Sequence, residues 1–185
     1  NSVGEAKDIG LGIVAPDGRD GMIGHAKQFA EAGIPFIFDP GQGMPMFSGH
    51  ELLDFLAQAE YATFNDYEAK LLTDRTGKSL EELAKLVKAL VVTRGGEGSH
   101  IYVGGQRLDI PCVKAEEVVD PTGCGDAYRA GLLYGIANGM DWDQIGRLAA
   151  LVGAIKIARS GPQNHTFTRE EIGEQYHQAF GSRLW

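Results

Sequence analysis

The 185-residue chain has few cysteines, no strongly basic segment and no long apolar run, and each absence excludes a class of protein. Two cysteines, Cys112 and Cys124, are too few for a disulfide framework or a cysteine-rich metal site, which favours a reduced, cytoplasmic setting. Acidic residues outnumber basic ones by 25 to 17, and no basic stripe is present, which argues against a nucleic-acid partner. No apolar run approaches the ~20 residues that span a bilayer, so no membrane association is expected.

Several familiar site patterns are missing or misplaced. Gly77-Lys78-Ser79 resembles the end of a P-loop, but Leu72 stands where the motif needs its first glycine, and no strand precedes it. Residues 10–15 match a dinucleotide fingerprint, yet their glycines fall within a predicted strand, which excludes a nicotinamide site. The five histidines have no metal-ligand spacing, and no Gly-x-Ser-x-Gly elbow indicates a serine hydrolase.

Apolar segments, which supply 43% of the residues, alternate between strand and helix patterns. Strands are predicted at 9–14, 34–38, 61–64 and 90–93, with a hairpin of 100–103 and 106–110 across a Gly-Gly turn. Helices are predicted at 22–30, 48–59, 66–73, 80–89, 126–138 and 142–158, and from residue 168. This alternation predicts one α/β domain over residues 1–185, with three layers, a mostly parallel sheet and an antiparallel hairpin toward one edge.

The strongest local signal is Asp120-Pro121-Thr122-Gly123-Cys124-Gly125-Asp126, at the start of a long apolar helix. A helix start presents unpaired N–H groups and a partial positive charge, which together bind anions such as phosphate. An Asp in the first helical turn also stabilises the dipole by about 0.3–1 kcal/mol without any ligand. Two glycines after a proline exceed what a cap requires. We therefore favour an anion site in which Asp126 takes a proton from a hydroxyl that is being phosphorylated.

Two further segments follow predicted strands. Asn65 and Glu68 have the spacing of a capping box, which also occurs at 48/51, 79/82 and 168/171, so a structural role is the simpler interpretation. Their place at the carboxyl end of a strand, where α/β sheets bind ligands, favours a functional role. The segment from Thr93 to Gly98 is either a glycine loop with positive φ or a surface on which a nucleotide lies against bare backbone.

Small residues recur on the two long helices, among them Gly131, Gly135, Gly146 and Gly153. Glycine costs about 1 kcal/mol relative to alanine inside a helix, so its repeated use needs a reason. Close packing of the helices is the favoured interpretation. Exposure of a backbone surface to a nucleotide base is the alternative.

Together these motifs resemble those of the ribokinase-like (PfkB-type) family of sugar and nucleoside kinases, over essentially the whole chain. The segment 120–126 with Arg129-Ala130-Gly131 is similar to the C-terminal signature of that family. Asn65 and Glu68 resemble its Asn-x-x-Glu motif, and Thr93, Gly95 and Gly98 its nucleotide loop. The resemblance implies a ribokinase-like fold, ATP as phosphoryl donor and Mg2+ as cofactor.

The resemblance also implies a role for each motif residue. Asp126 would be the catalytic base, and an anion hole for the γ-phosphoryl group would be formed by N–H groups from Gly123 to Asp126, including those of Cys124 and Gly125. The ATP site would be lined by Asn65, Thr93, Gly95 and Gly98. Glu68 would help to position Mg2+, mostly through water. A monovalent cation, K+, is a possible further cofactor near the carbonyl groups that follow Asp120.

Residues 39–43, 128–135 and 161–165 resemble bacterial adenosine-kinase-like members most closely. This finer resemblance implies phosphorylation of a primary hydroxyl of a ribonucleoside, adenosine first, with a ribose- or fructose-type sugar kinase as the alternative. Family members are longer, and their N-terminal part with its acceptor-binding motif and lid has no counterpart here. A catalytically incomplete nucleotide-binding fragment, or a scaffold without ligand, therefore stays open, and a homodimer is a possible assembly of the full-length protein.

Overall fold

The computed structural model describes residues 2–185 and shows the predicted alternation of strands and helices. Its strands are β1 (Gly12–Val14), β2 (Phe36–Phe38), β3 (Tyr61–Asn65), β4 (Ala89–Thr93), β5 (Ser99–Val103) and β6 (Gln106–Ile110). Its helices are α1 (Arg19–Glu31), α2 (Gly49–Gln58), α3 (Asp66–Thr76), α4 (Leu80–Ala84), α5 (Cys124–Ala137), α6 (Trp142–Ile157) and α7 (Arg169–Phe180). None of the helices between residues 2 and 185 combines the length and apolar character that a membrane span requires.

Several element bounds differ from the prediction by a few residues, and three of these differences have a clear cause. Strand β1 begins at Gly12 rather than residue 9, because it pairs only with the three residues of β2, which Pro35 precedes. Helix α4 ends at Ala84 rather than residue 89, since the chain must turn before Ala89 enters β4. Helix α5 begins two residues earlier than predicted, because the backbone of the preceding glycine already caps it.

The six strands lie in chain order in one sheet, and β1 to β4 are parallel to one another. Strands β5 and β6 are neighbours joined by a two-residue turn, so they form the predicted antiparallel hairpin. Crossovers between parallel strands are right-handed in nearly all proteins. Because β1 to β4 follow one another in one direction, the helices that connect them are expected on one face of the sheet. Strands β3 and β4 end level, with Asn65 opposite Thr93.

The chain divides into two compact units. Unit 1 contains the chain up to Arg94 together with His100–Leu108, and unit 2 contains Gly95–Ser99 and Asp109–Trp185. Unit 1 thus holds helices α1 to α4, whereas unit 2 holds α5 to α7. A single domain over residues 1–185 stays a prediction.

Unit 1 encloses a core rich in aromatic residues. The ring of Phe38 in β2 stacks on Phe55 in α2 with centroids 4.3 Å apart, and Phe64 in β3 meets Phe38 edge-on at 6.1 Å. All three side chains are buried, and each such ring removes about 150–250 Å² from water. This core fixes β2, β3 and α2 relative to one another. It therefore fixes the end of β3, at which Asn65 lies.

Unit 2 is built on close contact between α5 and α6. An added Cβ on Gly131 would lie 2.6 Å from Cα of Ala149, and one on Gly135 would lie 2.6 Å from Cγ1 of Ile145. These distances are shorter than side chains tolerate, so glycine lets the two helices approach. The packing interpretation of these two glycines is confirmed, and it fixes the helix whose first turn carries Asp126.

Replacement of Gly131 with alanine should lower the free energy of unfolding by about 1–3 kcal/mol, because the new methyl group would overlap the backbone of Ala149. The matched control is Gly24→Ala in α1, where no atom lies within 4 Å of an added Cβ. That change should raise the free energy of unfolding by up to about 1 kcal/mol. Urea denaturation measures both variants, and a gain in stability for Gly131→Ala would contradict the packing argument.

Candidate active site

The carboxyl ends of β3 and β4 bring three predicted site residues together in unit 1. Oδ1 of Asn65 accepts a hydrogen bond from the backbone N–H of Glu68 at 2.8 Å. The Glu68 carboxylate in turn accepts from the backbone N–H and from Nδ2 of Asn65, both at 2.9 Å. Thr93 is the register partner of Asn65 on the neighbouring strand. Parallel sheets bind ligands at this edge, so the cluster lies where a site is expected.

The capping interpretation of Asn65 and Glu68 is confirmed, because their reciprocal bonds form a complete capping box at the start of α3. The other three predicted boxes also form, at the starts of α2, α4 and α7. Glu68 differs from the glutamates of those boxes because it is buried, with 6% of its surface exposed. Capping does not require that burial. A carboxylate offers about four acceptor positions, so the bonds to Asn65 do not use them all.

The loop after β4 needs its glycines for conformational reasons. Gly95 and Gly98 have φ values of 53° and 86°, in the left-handed region that favours glycine. A Cβ on Gly98 would also overlap the backbone carbonyl of Ile110 at the end of β6. Gly98 therefore requires glycine, and the φ of Gly95 favours it, in the absence of any ligand. The nucleotide-binding role of this loop stays a prediction.

A buried hydrogen bond ties this loop to α5 within unit 2. Oγ of Ser99, directly after Gly98, lies 2.7 Å from the hydroxyl of Tyr128, two residues beyond Asp126. Burial raises the pKa of Tyr128 to about 12, so its phenol stays protonated at neutral pH. The bond anchors the glycine loop to the first turns of α5. Sequence reasoning assigned no role to either residue, because an isolated Ser and an isolated Tyr form no pattern.

The turn before α5 has room only for glycine at its centre. Gly123 has a φ of 81°, and an added Cβ would lie 3.1 Å from Cα of Pro162. A side chain there would meet both backbone strain and the segment behind it. Gly123 therefore lets the turn lie directly against Pro162 and sets the direction in which α5 begins.

The first turn of α5 keeps backbone donors available. The N–H of Cys124 donates to the carbonyl of Pro121 at 3.1 Å. The N–H groups of Gly125 and Asp126 make no hydrogen bond within residues 2–185, and both residues are exposed. Unpaired donors at a helix N-terminus hold anions, aided by the helix dipole. In this conformation, Gly125 and Asp126 are thus the donors that an anion would meet first.

Asp126 presents an accessible carboxylate beside these donors. Its side chain is 84% exposed, and its ion pair within residues 2–185 is a long contact of 3.5 Å from Oδ1 to Nη1 of Arg129. The guanidinium of Arg129 lies over Gly125, with Nη1 only 2.6 Å from the point that a Cβ on that glycine would occupy. An exposed carboxylate with so distant a partner retains lone pairs that can accept a proton. Its position therefore suits a general base.

Asp120 has a different role, because its carboxylate is already engaged. Oδ1 accepts from the N–H of Thr122 at 2.9 Å, and Oδ2 accepts from the N–H of Gly161 at 2.9 Å. These bonds lower the pKa of Asp120 to about 2, and the bond from Thr122 has the largest effect. The ionised carboxylate joins the 120–126 turn to the segment that contains Pro162. Asp120 is therefore a structural anion and a poor candidate for the base.

A buried lysine lies beneath the same turn. Lys156 in α6 has 0% of its surface exposed, and its Nζ donates to the carbonyl oxygens of Asp120 at 2.7 Å and Arg159 at 3.2 Å. The sequence motifs do not include it, although a lysine between the apolar residues of the last turn of α6 was a visible signal. Burial raises the pKa of the nearby Cys124 thiol, so this cysteine is a neutral side chain at neutral pH.

The protein offers no preformed metal cage among residues 2–185, since no three His, Cys, Asp or Glu side chains cluster there. An apolar groove of about 390 Å³ lies among α5, α6 and α7, where it is lined by residues that include Tyr134, Val152 and Trp185. Ala130 and Gly131 of the signature segment line that groove, whereas none of the residues with a predicted catalytic, anion-binding, ATP-binding or metal role does. The polar motifs, rather than the apolar groove, therefore define the candidate site.

Comparison with known proteins agrees with the motifs. Residues 12–169 match the pfkB family carbohydrate kinase. The nucleoside kinase of Burkholderia thailandensis, solved with inosine, is 55% identical, with a TM-score of 0.96 over 99% of this chain and 60% of that one. The same enzyme solved with ADP and inosine has the same identity and TM-score, and the match covers 57% of that chain.

Two curated relatives are more distant. The nucleoside kinase of Methanocaldococcus jannaschii is 33% identical over 138 residues, which are 75% of this chain and 46% of that protein. The ribokinase of Bacillus subtilis is 31% identical over 141 residues, which are 76% of this chain and 46% of that protein. The chain thus spans about half the length of the curated relatives it matches.

The shared fold confirms the predicted ribokinase-like class, a three-layer α/β fold with a mostly parallel sheet and an antiparallel hairpin. The resemblance to PfkB-type kinases, predicted from the motifs, is likewise confirmed. The roles assigned to individual site residues stay predictions. On the family match over residues 12–169, the chain belongs to the pfkB family of carbohydrate kinases.

Proposed function

We propose that the whole protein is a kinase that transfers the γ-phosphoryl group of ATP to a primary hydroxyl of a ribonucleoside. The observation that carries this proposal is the start of α5, where the exposed carboxylate of Asp126 adjoins unpaired backbone N–H groups. Membership of the pfkB family and 55% identity to a nucleoside kinase solved with ADP and inosine support it.

Asp126 would act as the general base. The acceptor oxygen attacks the γ-phosphorus, its proton passes to the Asp126 carboxylate, and ADP leaves with the electrons of the broken P–O bond. The negative charge that develops would be stabilised by the anion hole of N–H groups from Gly123, Cys124, Gly125 and Asp126 and by the helix dipole. The Cys124 N–H would join this hole only after it releases the carbonyl of Pro121.

The cluster in unit 1 would serve the nucleotide and its metal. Asn65 and Thr93, level at the ends of β3 and β4, would contact ATP, as would Gly95 and Gly98 of the loop in unit 2. Mg2+ usually keeps several waters and binds through one or two carboxylates plus substrate phosphates. The lone Glu68 carboxylate fits such indirect binding, whereas a cage of protein ligands is not found among residues 2–185. When bound, Mg2+ neutralises charge on the phosphates.

The acceptor class is the second part of the proposal, and two classes of relative bear on it. A ribonucleoside is favoured by the higher identity to the Burkholderia enzyme, which was solved with inosine. Adenosine, which the sequence motifs favour, belongs to the same class. A sugar acceptor is the second candidate, since the Bacillus ribokinase is 31% identical over 76% of this chain.

Replacement of Asp126 with asparagine should lower kcat by about 10²- to 10⁴-fold, because the acceptor hydroxyl loses its proton acceptor. Affinity for Mg-ATP, measured by calorimetry, should change little. The matched control is Asp143→Asn, which removes an acidic residue from the first turn of α6 instead. Wild-type turnover in Asp126→Asn, or an equal loss in the control, would contradict the assignment of the base.

The acceptor class can be measured directly with the whole protein, Mg-ATP and a panel of alcohols. We expect kcat/KM for inosine and adenosine to exceed that for ribose and fructose by on the order of a hundredfold or more, because a site that hydrogen-bonds the base rejects acceptors that lack it. The reverse order would establish a sugar kinase. Saturable ATP binding without transfer to any acceptor would indicate a nucleotide-binding fragment. A calorimetric titration with Mg-ATP that gives no saturable heat would indicate a bare scaffold.

A further inference from the structure

Lys156 carries a positive charge in a place that water does not reach. Its side chain is fully buried, and Nζ is bonded to the backbone carbonyl oxygens of Asp120 and Arg159. Neither of these acceptors is a carboxylate. The side chain of Asp120 instead accepts from Thr122 and Gly161. Backbone carbonyl oxygens are the ligands with which proteins replace the hydration shell of a monovalent cation.

Burial of an ammonium group is costly unless it is well paired, and an apolar side chain of similar size would fill the same space without that cost. The charge therefore needs a reason at this position. The reason lies in its surroundings. Lys156 lies at the end of α6, and the backbone at the start of the 120–126 turn is hydrogen-bonded to that end of the helix. The N–H groups of Val119 and Asp120 both donate to the carbonyl of Ile157, at 2.9 and 3.1 Å.

The ammonium group acts electrostatically on the turn above it. Its charge favours the ionised forms of the Asp120 carboxylate and the Cys124 thiol, although hydrogen bonds and burial respectively are the larger influences on these two groups. The Sγ of Cys124 also lies 3.9 Å from the carbonyl oxygen of Asp120, which Lys156 binds. One carbonyl group thus connects the buried charge to both ends of the turn that precedes α5.

The family resemblance implies a K+ ion near the carbonyl groups that follow Asp120, but the ammonium group of Lys156 at the start of that segment does not fit a second cation beside it. The Asp120 carbonyl already accepts a hydrogen bond from an ammonium group at 2.7 Å. A second cation within a few ångströms of that group would be repelled in a medium of low dielectric constant. The side chain of Lys156 thus already supplies the positive charge that a K+ ion would bring.

We propose that Lys156 is a built-in cation that positions the anion-binding turn of residues 120–126 and makes a K+ ion unnecessary there. Lys156 is a positioning residue, since it acts on the reacting groups through the backbone of Asp120. The expected effect on turnover rests on the proposed kinase function. The expected effect on stability does not.

The first test compares turnover of the whole protein in potassium chloride and in choline chloride at equal ionic strength. Wild-type kcat should differ by less than about twofold between the salts. The kcat of Lys156→Ala in choline should be roughly 10- to 100-fold below that of the wild type, as is typical when a residue that supports a site from behind is replaced. K+ should restore much of this kcat, and Li+ should restore less. The control Lys27→Ala removes an exposed lysine of α1 and should resemble the wild type in both salts.

The second test is thermal unfolding in the same two salts, which needs neither acceptor nor nucleotide. K+ should raise the melting temperature of Lys156→Ala by linkage, but not that of the wild type or of Lys156→Met, whose side chain fills the space. Activation of the wild type several-fold by K+, full turnover of Lys156→Ala in choline, or no effect of K+ on that variant would overturn the proposal. A wild type that transfers no phosphate in any salt would refute the kinase function alone.

Discussion

The candidate site depends on the two hydrogen bonds that the ionised carboxylate of Asp120 accepts. This carboxylate joins Thr122, in the turn before α5, to Gly161, which lies 41 residues away along the chain. Because its folded pKa of about 2 is below the ordinary 3.8, the stabilisation that it contributes is present above about pH 4 and is lost as the pH falls toward 2. At neutral pH the contact is therefore complete. It joins the turn to the segment that contains Pro162, so movement of the turn away from that segment would break the bond to Gly161.

Helix packing and turn geometry fix α5 at two independent points. Gly131 and Gly135 allow the middle of α5 to lie against α6, and Gly123 sets the direction in which the helix begins. The Ser99–Tyr128 bond adds a third constraint from the glycine loop. A functional group held by rigid neighbours loses little freedom when it binds a ligand. Asp126 can therefore remain exposed and accessible while the backbone beneath it stays fixed.

The alternation of strands and helices, the capping boxes and the family motifs could all be predicted because each is a local pattern in the chain. The supporting contacts could not. Lys156 binds a carbonyl group 36 residues earlier, and Asp120 binds an N–H 41 residues later. Such partners become visible only when the topology is known, since either residue alone is an ordinary charged side chain. The end of α4 could not be predicted for a related reason, because the sheet, rather than helix propensity, decides where Ala89 must enter β4.

The Asn65–Glu68 pair shows why a structural explanation does not remove a functional one. The capping bonds are complete, so the motif needs no ligand to account for it. The boxes of α2, α4 and α7 have the same bonds, yet their glutamates are less buried and none of the three follows the end of a strand. Among these four carboxylates, only that of Glu68 is both buried and placed at the carboxyl end of a strand, the edge at which parallel sheets commonly bind ligands. A fixed carboxylate with spare acceptor positions is what indirect metal binding needs, so the cap is compatible with the metal-positioning role proposed for Glu68.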